Sequence, residues 1–565
     1  MKFMRDESAE KLRGGYYTDP DIAAYLIRWV REIKPTRVLE PSCGDGIFIR
    51  ELLRNADPTS APEITGFEID RVEAAKARIE LGKGLGRVND ADFLGWVIKN
   101  LDSGCNFDAV VGNPPYIRYQ YLSPESQERA ERIIRAHSLR FTKHTNAWVP
   151  FIVAAIAKLR PGGRLAMVVP SELLSVIHAE TARTFLLREC SRVQIIDPEE
   201  LWFEGALQGV VLLLAEKHSQ PKGRRNPGTL GIARVQGRAF LEHSPASLFD
   251  AVSFVSSDEI PSKWTFALLS ASERRLLERL RHNSNVHRFT EIASVAVGIV
   301  TGANKFFLVP DDTVAEFDLS TYAHPMFGRS EHVSGVVYDE AEHFANRARG
   351  LPANFIWFTA EHVSMLGRGA KRYIALGEAQ ALHTRFKCRV REPWYAVPSV
   401  FASPIGMLKR SHEFPRLILN EIDAFTTDTA YRVFPKSHST QTLVSCFINS
   451  LTALSAELEG RHYGGGVLEL VPSEINRLLV PLVSLGRTHL DELDQLVRIG
   501  ASTEQLFIKQ DIAVLGAIGV ASSDIEDLQS AAWRLRRRRH RTPEELVDAS
   551  VAEDEWLPED VMSVG

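Results

Sequence analysis

The sequence predicts an α/β domain with a mostly parallel sheet, followed by a domain of mixed α+β structure and a helical tail. Short apolar runs alternate with helical runs through about the first 215 residues, as is typical of parallel strands joined by helices. The polar, basic and Pro/Gly-containing segment Lys217–Gly228 ends this pattern. Aromatic stretches broken by Pro and Gly follow, and 565 residues are too many for one ordinary core. We therefore expect domains at 1–216, 229–484 and 485–565.

Six apolar segments of the first domain are predicted strands. Most are followed by a stretch in which apolar residues recur at helical spacing. The predicted strands lie in TRVLEP, EITGFEID, FDAVVG, RLAMVVP, VQIIDP and GVVLLLAEK. Because these runs are short and almost continuously apolar, we expect helices to cover both faces of the sheet.

Composition excludes several classes of protein. The chain is 44% hydrophobic and 25% charged, which is typical of a globular protein. No apolar run approaches the roughly 20 residues that span a bilayer, and the charged start lacks the apolar core of a signal peptide, so we expect a cytoplasmic protein without membrane association. The five cysteines form no C-x-x-C pair, so we expect neither disulfides nor a bound metal. The net charge of −5 is no global sign of nucleic-acid binding.

The first motif, VLEPSCGDGIF, joins the first predicted strand to its helix. Glu40 ends the strand, and Gly44 and Gly46 lie in the turn. In an open parallel sheet, ligands bind beyond the carboxyl ends of the strands, where glycine lets the backbone approach closely. The motif is not G-x-G-x-x-G, so a dinucleotide is not specifically indicated, whereas an acid here suits a cationic group such as an amine. An ordinary strand-to-helix turn explains the segment equally well.

Two further acidic segments follow. In GFEID, Glu68 suits the hydroxyls of a ribose, while Asp70 is placed to cap the next helix. In DADFLGW, Asp92 suits the amino group of an adenine and Phe93 an apolar contact with its ring. D-F pairs are common, so this pair indicates an adenine site only because it follows the two earlier motifs in the chain.

The most specific motif, N-P-P-Y, follows the strand FDAVVG. Asn113 places a side-chain carbonyl at the edge of the sheet, and Pro114 turns the chain so that its own carbonyl can face a ligand. Pro115 restricts Pro114 to an extended conformation, which holds the flat ring of Tyr116 at a fixed angle. Two acceptors beside a ring suit a ring-bound amino group. A strand-terminating turn is the alternative. However, N-P-P-Y arises by chance in a chain of this length with odds on the order of only one in a thousand.

In this order the motifs resemble those of the class I S-adenosylmethionine-dependent methyltransferases, and more narrowly the N6-adenine DNA methyltransferases of gamma order. The resemblance implies a Rossmann-like, seven-stranded methyltransferase sheet and a C-terminal target-recognition domain. The segment Gly14–Ile27 takes the place of the family's first cofactor motif. The implied contacts with S-adenosylmethionine are Thr18, Glu40, Cys43, Gly44, Gly46, Glu68, Ile69, Asp92 and Phe93.

The resemblance also implies which residues hold the target base. The catalytic set is Asn113, Pro114, Pro115 and Tyr116. Phe151 and Phe203 match aromatics that pack against the extruded adenine, although core packing explains Phe151 equally well and the neighbouring Trp202 leaves the choice of Phe203 open. Three later segments look like parts of target-recognition domains, so that the resemblance covers about residues 14–481: Val297–Val309, Phe327–Gly335 and Gly464–Pro481.

The implied function is transfer of a methyl group from S-adenosylmethionine to N6 of an adenine flipped out of double-stranded DNA, by the modification enzyme of a restriction–modification system. The last 80 or so residues show no P-D…(D/E)-x-K cluster, so we expect methyl transfer without cleavage. A separately encoded restriction endonuclease is left open as a partner. Alternatives are an N-P-P-Y methyltransferase acting on RNA or on a protein glutamine, and a catalytically dead DNA-binding specificity protein.

The basic residues of His383–Tyr395 and of the segment GANKFF are candidates for contact with DNA phosphates or bases. We select Lys305 and Arg329, although solvated loop charge explains each of them as well. The dense run Arg534–Arg541 predicts either phosphate binding or a helix paired with the acidic tail that follows it.

Overall fold

The structure is a computed structural model that consists of two compact units. It describes residues 17–540 except 55, 57–60, 102, 105–106, 144, 200–208, 221–222, 224, 261–262 and 360–364. The first unit ends at Ser270 and the second begins at Ala271. The first unit therefore continues past the boundary predicted at residues 216–229, because two strands beyond it add to the same sheet.

The described strands of the first unit form one nine-stranded sheet, in the order β3-β2-β1-β4-β5-β7-β6-β8-β9. Most neighbours are parallel, but β7 is antiparallel to β5 and β6, and β9 is antiparallel to β8. The predicted mostly parallel α/β sheet is confirmed, with nine described strands in place of the seven expected. The strands are β1 Arg37–Glu40, β2 Glu63–Glu68, β3 Gly86–Asp90, β4 Phe107–Gly112, β5 Leu159–Pro170, β6 Cys190–Pro198, β7 Val210–Lys217, β8 Thr229–Val235 and β9 Val255–Ser256.

Helices cover both faces of this sheet. They are α1 Pro20–Arg31, α2 Ile47–Leu53, α3 Arg71–Leu81, α4 Phe93–Lys99, α5 Pro124–Ala136, α6 Trp148–Lys158, α7 Glu180–Glu189 and α8 Pro245–Ala251. Side chains of α1, α2, α3 and α8 form one core, and those of α4, α5, α6 and α7 form the other. In β5, Leu165 and Met167 join one core while Ala166 and Val168 join the other, as the period of two along a strand requires.

One described strand escapes pattern analysis for a physical reason. The edge strand β3 has the sequence GRVND, in which Val88 is the one side chain that is fully buried. It therefore lacks the apolar run that marks β4, in which all six residues are buried. Edge strands have one neighbour and more solvent contact, so their sequences are less distinctive.

The second unit combines several small sheets. Its largest sheet has five strands, in the order β11-β19-β16-β18-β14, in which β14 and β18 are parallel and the other neighbours antiparallel. The strands are β10 Val286–Arg288, β11 Ala293–Val297, β12 Leu308–Val309, β13 Ala323–Pro325, β14 Val337–Tyr338, β15 Asn354–Ile356, β16 Ile405–Leu408, β17 Arg410–Ser411, β18 Leu417–Asn420, β19 Ala430–Pro435, β20 Arg461–Tyr463, β21 Val467–Glu469 and β22 Leu479–Pro481.

Helices of the second unit pack on these sheets and extend to the end of the described chain. They are α9 Ala271–Arg281, α10 Phe289–Ile292, α11 Asn304–Phe307, α12 Asp311–Glu316, α13 Glu340–Ala348, α14 Arg368–Ala379, α15 Phe386–Arg389, α16 Thr440–Phe447, α17 Ser450–Glu459, α18 Pro472–Ile475, α19 Arg487–Arg498, α20 Thr503–Val514 and α21 Ser522–Arg539. Among the described helices, none combines the length and apolar composition needed to cross a membrane.

Candidate active site

The order of the first sheet reverses between β1 and β4. From β1 the chain builds outward through β2 and β3, and it then returns to the other side of β1 to form β4 and β5. In open α/β sheets a ligand-binding crevice forms at such a point, beyond the carboxyl ends of the strands. Glu40 is the last residue of β1 and Asn113 follows the last residue of β4, so both lie at this crevice.

Short polar contacts join the segments that meet here. Ser42 Oγ donates a hydrogen bond of 2.9 Å to the backbone carbonyl of Asn113. Asn113 Nδ2 donates to Thr18 Oγ1 at 3.3 Å, across 95 residues of sequence. A Cβ atom on Gly112, whose φ is +150°, would lie 3.7 Å from Glu40 Cγ. The structure thus brings together Glu40 and Asn113, which were predicted to lie at strand ends, and Thr18, which the resemblance implied.

Glu40 is the most unusual residue of the crevice. Its side chain is fully buried, and neither carboxylate oxygen has a hydrogen-bond partner among the described residues. Burial raises the pKa of Glu40 well above its ordinary value, and the nearby carboxylates of Asp45 and Glu68 raise it further. Burying an ionised carboxylate without compensation costs on the order of several kcal/mol. The arrangement therefore favours a ligand that brings a positive charge.

Glu68 fixes the glycine turn against the end of β2. Its Oε2 accepts the Gly44 N–H at 2.9 Å and its Oε1 accepts the Asp70 N–H at 2.8 Å. Gly46 adopts φ +92°, and a Cβ atom there would lie 2.9 Å from Ala77 Cα, so the turn excludes a side chain at this position. The turn and the acidic strand end are therefore one connected structure.

Cys43 is buried within this turn. Its N–H donates to the Phe67 carbonyl at 2.9 Å, which ties the turn to β2. Burial raises the pKa of the Cys43 thiol, and the charges of Glu40 and Glu68 raise it further. Because the thiolate is the reactive form of cysteine, this residue is a packing element and not a nucleophile.

Asp92 has structural partners that the sequence did not indicate. It caps α4, accepting the N–H groups of Leu94 at 3.2 Å and Gly95 at 3.1 Å. Its Oδ2 also forms an ion pair of 2.8 Å with Arg129 Nη1. These contacts fix the carboxylate at the end of the third strand segment, and its predicted contact with an adenine stays a prediction.

The predicted contacts Phe93, Phe151 and Ile69 differ in solvent exposure. Phe93 is buried, and its ring centroid lies 5.5 Å from those of Phe67 and Phe151. Phe151 belongs to the core beneath α6, so core packing is one role that it has. Ile69, in contrast, is 74% exposed at the end of β2. Phe203 lies outside the described residues.

The N-P-P-Y corner is anchored at both ends. Pro114 is buried and Pro115 half-buried, directly after β4. The Tyr116 hydroxyl donates to the Val168 carbonyl of β5 at 3.1 Å, and its half-buried ring touches both cores. Together with the Ser42 contact to Asn113, these interactions hold the four residues in one conformation at the crevice.

Sequence reasoning missed two polar residues of this site. Ser42 anchors the backbone of Asn113, and Asp45 adds negative charge near Glu40. Both lie in SCGDG, within the turn that was already predicted to bind a ligand. The sequence signal that could have identified Ser42 and Asp45 was therefore a small polar residue or an acid next to the turn glycines.

The residues selected for DNA contact lie in the second unit. Lys305 is exposed on α11. Arg329 forms an ion pair of 3.2 Å with Glu331, so part of its charge is neutralised within the unit. These contacts do not assign a role to Lys305 or Arg329, and binding of DNA by either residue stays a prediction.

The basic run near the end of the chain has partners inside its own unit. On α21, Arg534, Arg536 and Arg539 pair with Glu273, Glu413 and Glu457. Burial alone would raise the pKa of Glu457, but the charges of Arg539 and His462 lower it to about 2. Three of the five described arginines of this run are therefore in internal ion pairs. Arg541 and the acidic tail lie outside the described residues.

Two family models match the chain. The model of the Eco57I restriction-modification methylase matches residues 69–203, which include the N-P-P-Y corner. The model of the C-terminal domain of Type II methyltransferase M.Eco57I matches residues 261–515, and the two together cover more than half of the chain. The chain belongs to the restriction–modification methyltransferases. The resemblance predicted from the motifs is therefore confirmed at this level.

Individual relatives agree with this assignment. This methyltransferase is 23% identical over 504 residues to Type II methyltransferase M.AccI of Acinetobacter calcoaceticus, an alignment that covers 86% of this chain and 88% of M.AccI. It is 24% identical over 328 residues to Type II methyltransferase M.HindII of Haemophilus influenzae, covering 56% of this chain and 58% of M.HindII. Its fold is similar to that of the Type IIL restriction-modification enzyme MmeI in complex with DNA, with 11% identity, a TM-score of 0.52 and coverage of 93% of this chain and 75% of MmeI.

Proposed function

We propose that this methyltransferase transfers a methyl group from S-adenosylmethionine to the N6 amino group of an adenine in double-stranded DNA, as the modification enzyme of a restriction–modification system. One observation carries the proposal: the N-P-P-Y corner lies beside the buried Glu40 where the sheet order reverses. The relatives M.AccI and M.HindII are Type II methyltransferases, which supports the reaction class. The structure of MmeI was determined with DNA, which supports the substrate class.

The residues of the crevice fit S-adenosylmethionine. This molecule carries an ammonium, a sulfonium, a carboxylate, a ribose and an adenine, and when bound it supplies an electrophilic methyl group. In the methionine part, Glu40, whose oxygens lack partners among the described residues, would hold the ammonium group and Thr18 the carboxylate. A carboxylate has about four acceptor sites, so Glu68 can accept ribose hydroxyls in addition to its two backbone N–H groups. Asp92 and Phe93 would then face the adenine.

The N-P-P-Y corner would act on the target by positioning it. The side-chain oxygen of Asn113 and the carbonyl of Pro114 would accept the two amino hydrogens, which orients the nitrogen lone pair and stabilises the developing positive charge. The ring of Tyr116 would stack on the base. An adenine in a duplex is inaccessible to these groups, so the base must be extruded, at a cost of a few kcal/mol. We propose that the second unit recognises the DNA sequence around it.

The proposal is tested by transfer of a tritiated methyl group to unmethylated plasmid DNA, with total RNA and total protein as parallel acceptors. We expect label in DNA, recovered as N6-methyladenine after digestion to nucleosides. Label in RNA or protein but not in DNA would exclude the proposed substrate. No label in any acceptor, despite DNA binding, would favour a catalytically dead specificity protein.

A further inference from the structure

A stretch of the second unit carries positive charge that the unit does not neutralise. From Ala379 to Arg391 there are four basic residues and no acidic one. Two of them, Lys387 and Arg389 on α15, have no ion-pair partner among the described residues; each lies over the ring of Phe386 instead. The arginines of α21, in contrast, are largely paired with internal carboxylates. The charge of Lys387 and Arg389 is thus available at α15, whereas three arginines of the basic run are paired internally.

Exposed apolar side chains accompany this charge. Phe386 is 49% exposed, and the Lys387 Nζ and Arg389 Cζ atoms lie 5.6 and 5.2 Å from its ring centroid. Val390 is 69% exposed and Val300, on the neighbouring loop, 36%. Aromatic and apolar groups interleaved with cations are typical of surfaces that bind nucleic acid, because phosphates and bases are recognised together.

The surface has a rigid base. Arg391 donates to the carbonyls of Val300 and Thr301 at 2.7 and 2.6 Å, which joins the segment after α15 to the loop that precedes α11. A Cβ atom on Gly302 would lie 2.7 Å from Lys387 Cβ, so α15 packs directly against this loop. Groups held in place before binding lose less conformational entropy when a ligand is bound.

Arg432 and Phe401 extend the same surface beyond α15. The Arg432 guanidinium lies 3.8 Å from the centroid of the Phe401 ring and donates to the Val297 carbonyl at 2.9 Å. Phe401 is 46% exposed and Val297 40%. We use the name α15 surface for the residues joined in this way: Val297–Ala303, Arg385–Arg391 and Phe401.

We propose that the α15 surface binds DNA, with Lys387 and Arg389 on phosphates and Phe386 against the bases. This inference rests on the proposed function, and it names the part of the second unit that contacts the substrate. The positive charge selects a polyanion. The exposed Phe386 selects a polyanion that also offers apolar groups, such as the methyl of thymine or an opened base step.

Two variants separate the charged and apolar contributions. Lys387→Ala combined with Arg389→Ala removes two charges, and its control, Arg281→Ala combined with Lys509→Ala, removes two charges that pair with Glu278 and Glu492 elsewhere in the unit. Phe386→Ala removes the ring, and its control is Phe344→Ala, a 70% exposed phenylalanine on α13. Affinity for linearised unmethylated plasmid DNA is measured by filter binding over a range of KCl concentrations.

The two variants are expected to differ in salt dependence. Loss of two phosphate contacts lowers the slope of log affinity against log salt concentration by about 2 and weakens binding to every sequence. Loss of the ring weakens binding by about 10-fold without changing the slope. Both controls are expected to bind DNA as the unmodified protein does, and all four variants to unfold in urea at the same concentration as the unmodified protein, which shows that they are folded.

The outcomes distinguish this inference from the proposed function. Methyl transfer to the same DNA by the unmodified protein tests the function separately. If transfer occurs and both α15 variants bind DNA as their controls do, the inference is wrong and the function stands. If no transfer occurs but the variants weaken DNA binding as described, the function is wrong and the surface stands. Loss of a dimer or of a bound protein in Phe386→Ala, with DNA binding unchanged, would assign the surface to a protein partner and overturn the inference.

Discussion

Replacing Glu40 by Gln tests whether the crevice holds a carboxylate that needs a cation. Burial, with Asp45 and Glu68 nearby, raises the pKa of Glu40 in the folded chain. The folded state therefore holds the proton more tightly than the unfolded chain does. The stability that this provides is fully present below the unfolded pKa of about 4.3 and is lost as the pH rises through the folded pKa.

The magnitude follows from the proton linkage. The free energy of unfolding of the unmodified protein falls by at most about 1.4 kcal/mol per pH unit, or at most about 3.7 kcal/mol between pH 4.3 and pH 7. Glutamine does not titrate, has nearly the same volume, and resembles the protonated acid in its polarity. We therefore expect Glu40→Gln to match the unmodified protein near pH 4.3 and to be more stable than it at pH 7 without ligand, by no more than this limit.

The assay is urea denaturation at several pH values, followed by the fluorescence of tryptophans that include the buried Trp29 and Trp148 of the first unit. Calorimetry with S-adenosylmethionine accompanies it. A ligand cation favours the ionised form of Glu40, so affinity should rise with pH in the unmodified protein and lose that dependence in Glu40→Gln. Glu63→Gln is the control, because Glu63 is exposed on β2 and its ion pair with Arg37 is 3.5 Å long.

Two results would refute this reasoning. One is a difference in stability between Glu40→Gln and the unmodified protein that does not change with pH. The other is unchanged affinity for S-adenosylmethionine with unchanged pH dependence in Glu40→Gln. Either would mean that the buried carboxylate is compensated within the protein and does not serve a cationic ligand.

Three further substitutions test the corner and the second unit. Asn113→Ala is expected to lower methyl transfer by about 100-fold or more, measured in single turnovers, with little change in cofactor affinity, because the amide holds the target amino group. Tyr116→Phe removes the hydrogen bond to the Val168 carbonyl but keeps the ring, so we expect a loss of about 1 kcal/mol in thermal unfolding and retention of most transfer activity. Arg539→Ala leaves Glu457 buried without its cation, and we expect urea denaturation to show a loss of about 3–5 kcal/mol.

Each of these substitutions has a contradicting outcome. Equal loss of cofactor binding and transfer in Asn113→Ala, with the exposed Asn285→Ala normal, would make Asn113 a structural residue. Inactivity of Tyr116→Phe would mean that the hydroxyl takes part in the reaction. Arg537→Ala, exposed on the same helix as Arg539, should change stability by less than about 0.5 kcal/mol. Weaker DNA binding at unchanged stability in Arg539→Ala would contradict the structural role of that residue.

Much of the first sheet was predictable because its strands are buried on both faces. All six residues of β4 are buried, so FDAVVG is apolar without interruption, and the polar Asn113 that follows it marks the strand end. The same logic placed Glu40 at the end of β1. The weakly buried β3 was not predicted, and the strands beyond Gly228 were assigned to the wrong side of a domain boundary, because a polar connection looks the same within a sheet as between domains.

Pairing between distant residues was not predictable. The sequence places Asp92 beside Phe93 but does not show that Arg129 neutralises it. Likewise, four adjacent arginines look like a phosphate-binding run until their partners are known. Arg534 and Glu273 are 261 residues apart, and Arg539 and Glu457 are 82 apart, so no local pattern reveals that these charges are satisfied.

By itself, the sequence determined where most strands of the first unit lie along the chain and which strand ends carry chemically informative residues, because the periodicity of burial and the stiffness of proline act over a few residues. Only the tertiary structure decided which charges remain available. Ion pairs form between side chains that the fold brings together, so three arginines of α21 are paired internally while the charges of Lys387 and Arg389 remain at the surface. The same is true of Glu40, whose missing partner is visible only once its neighbours in space are known.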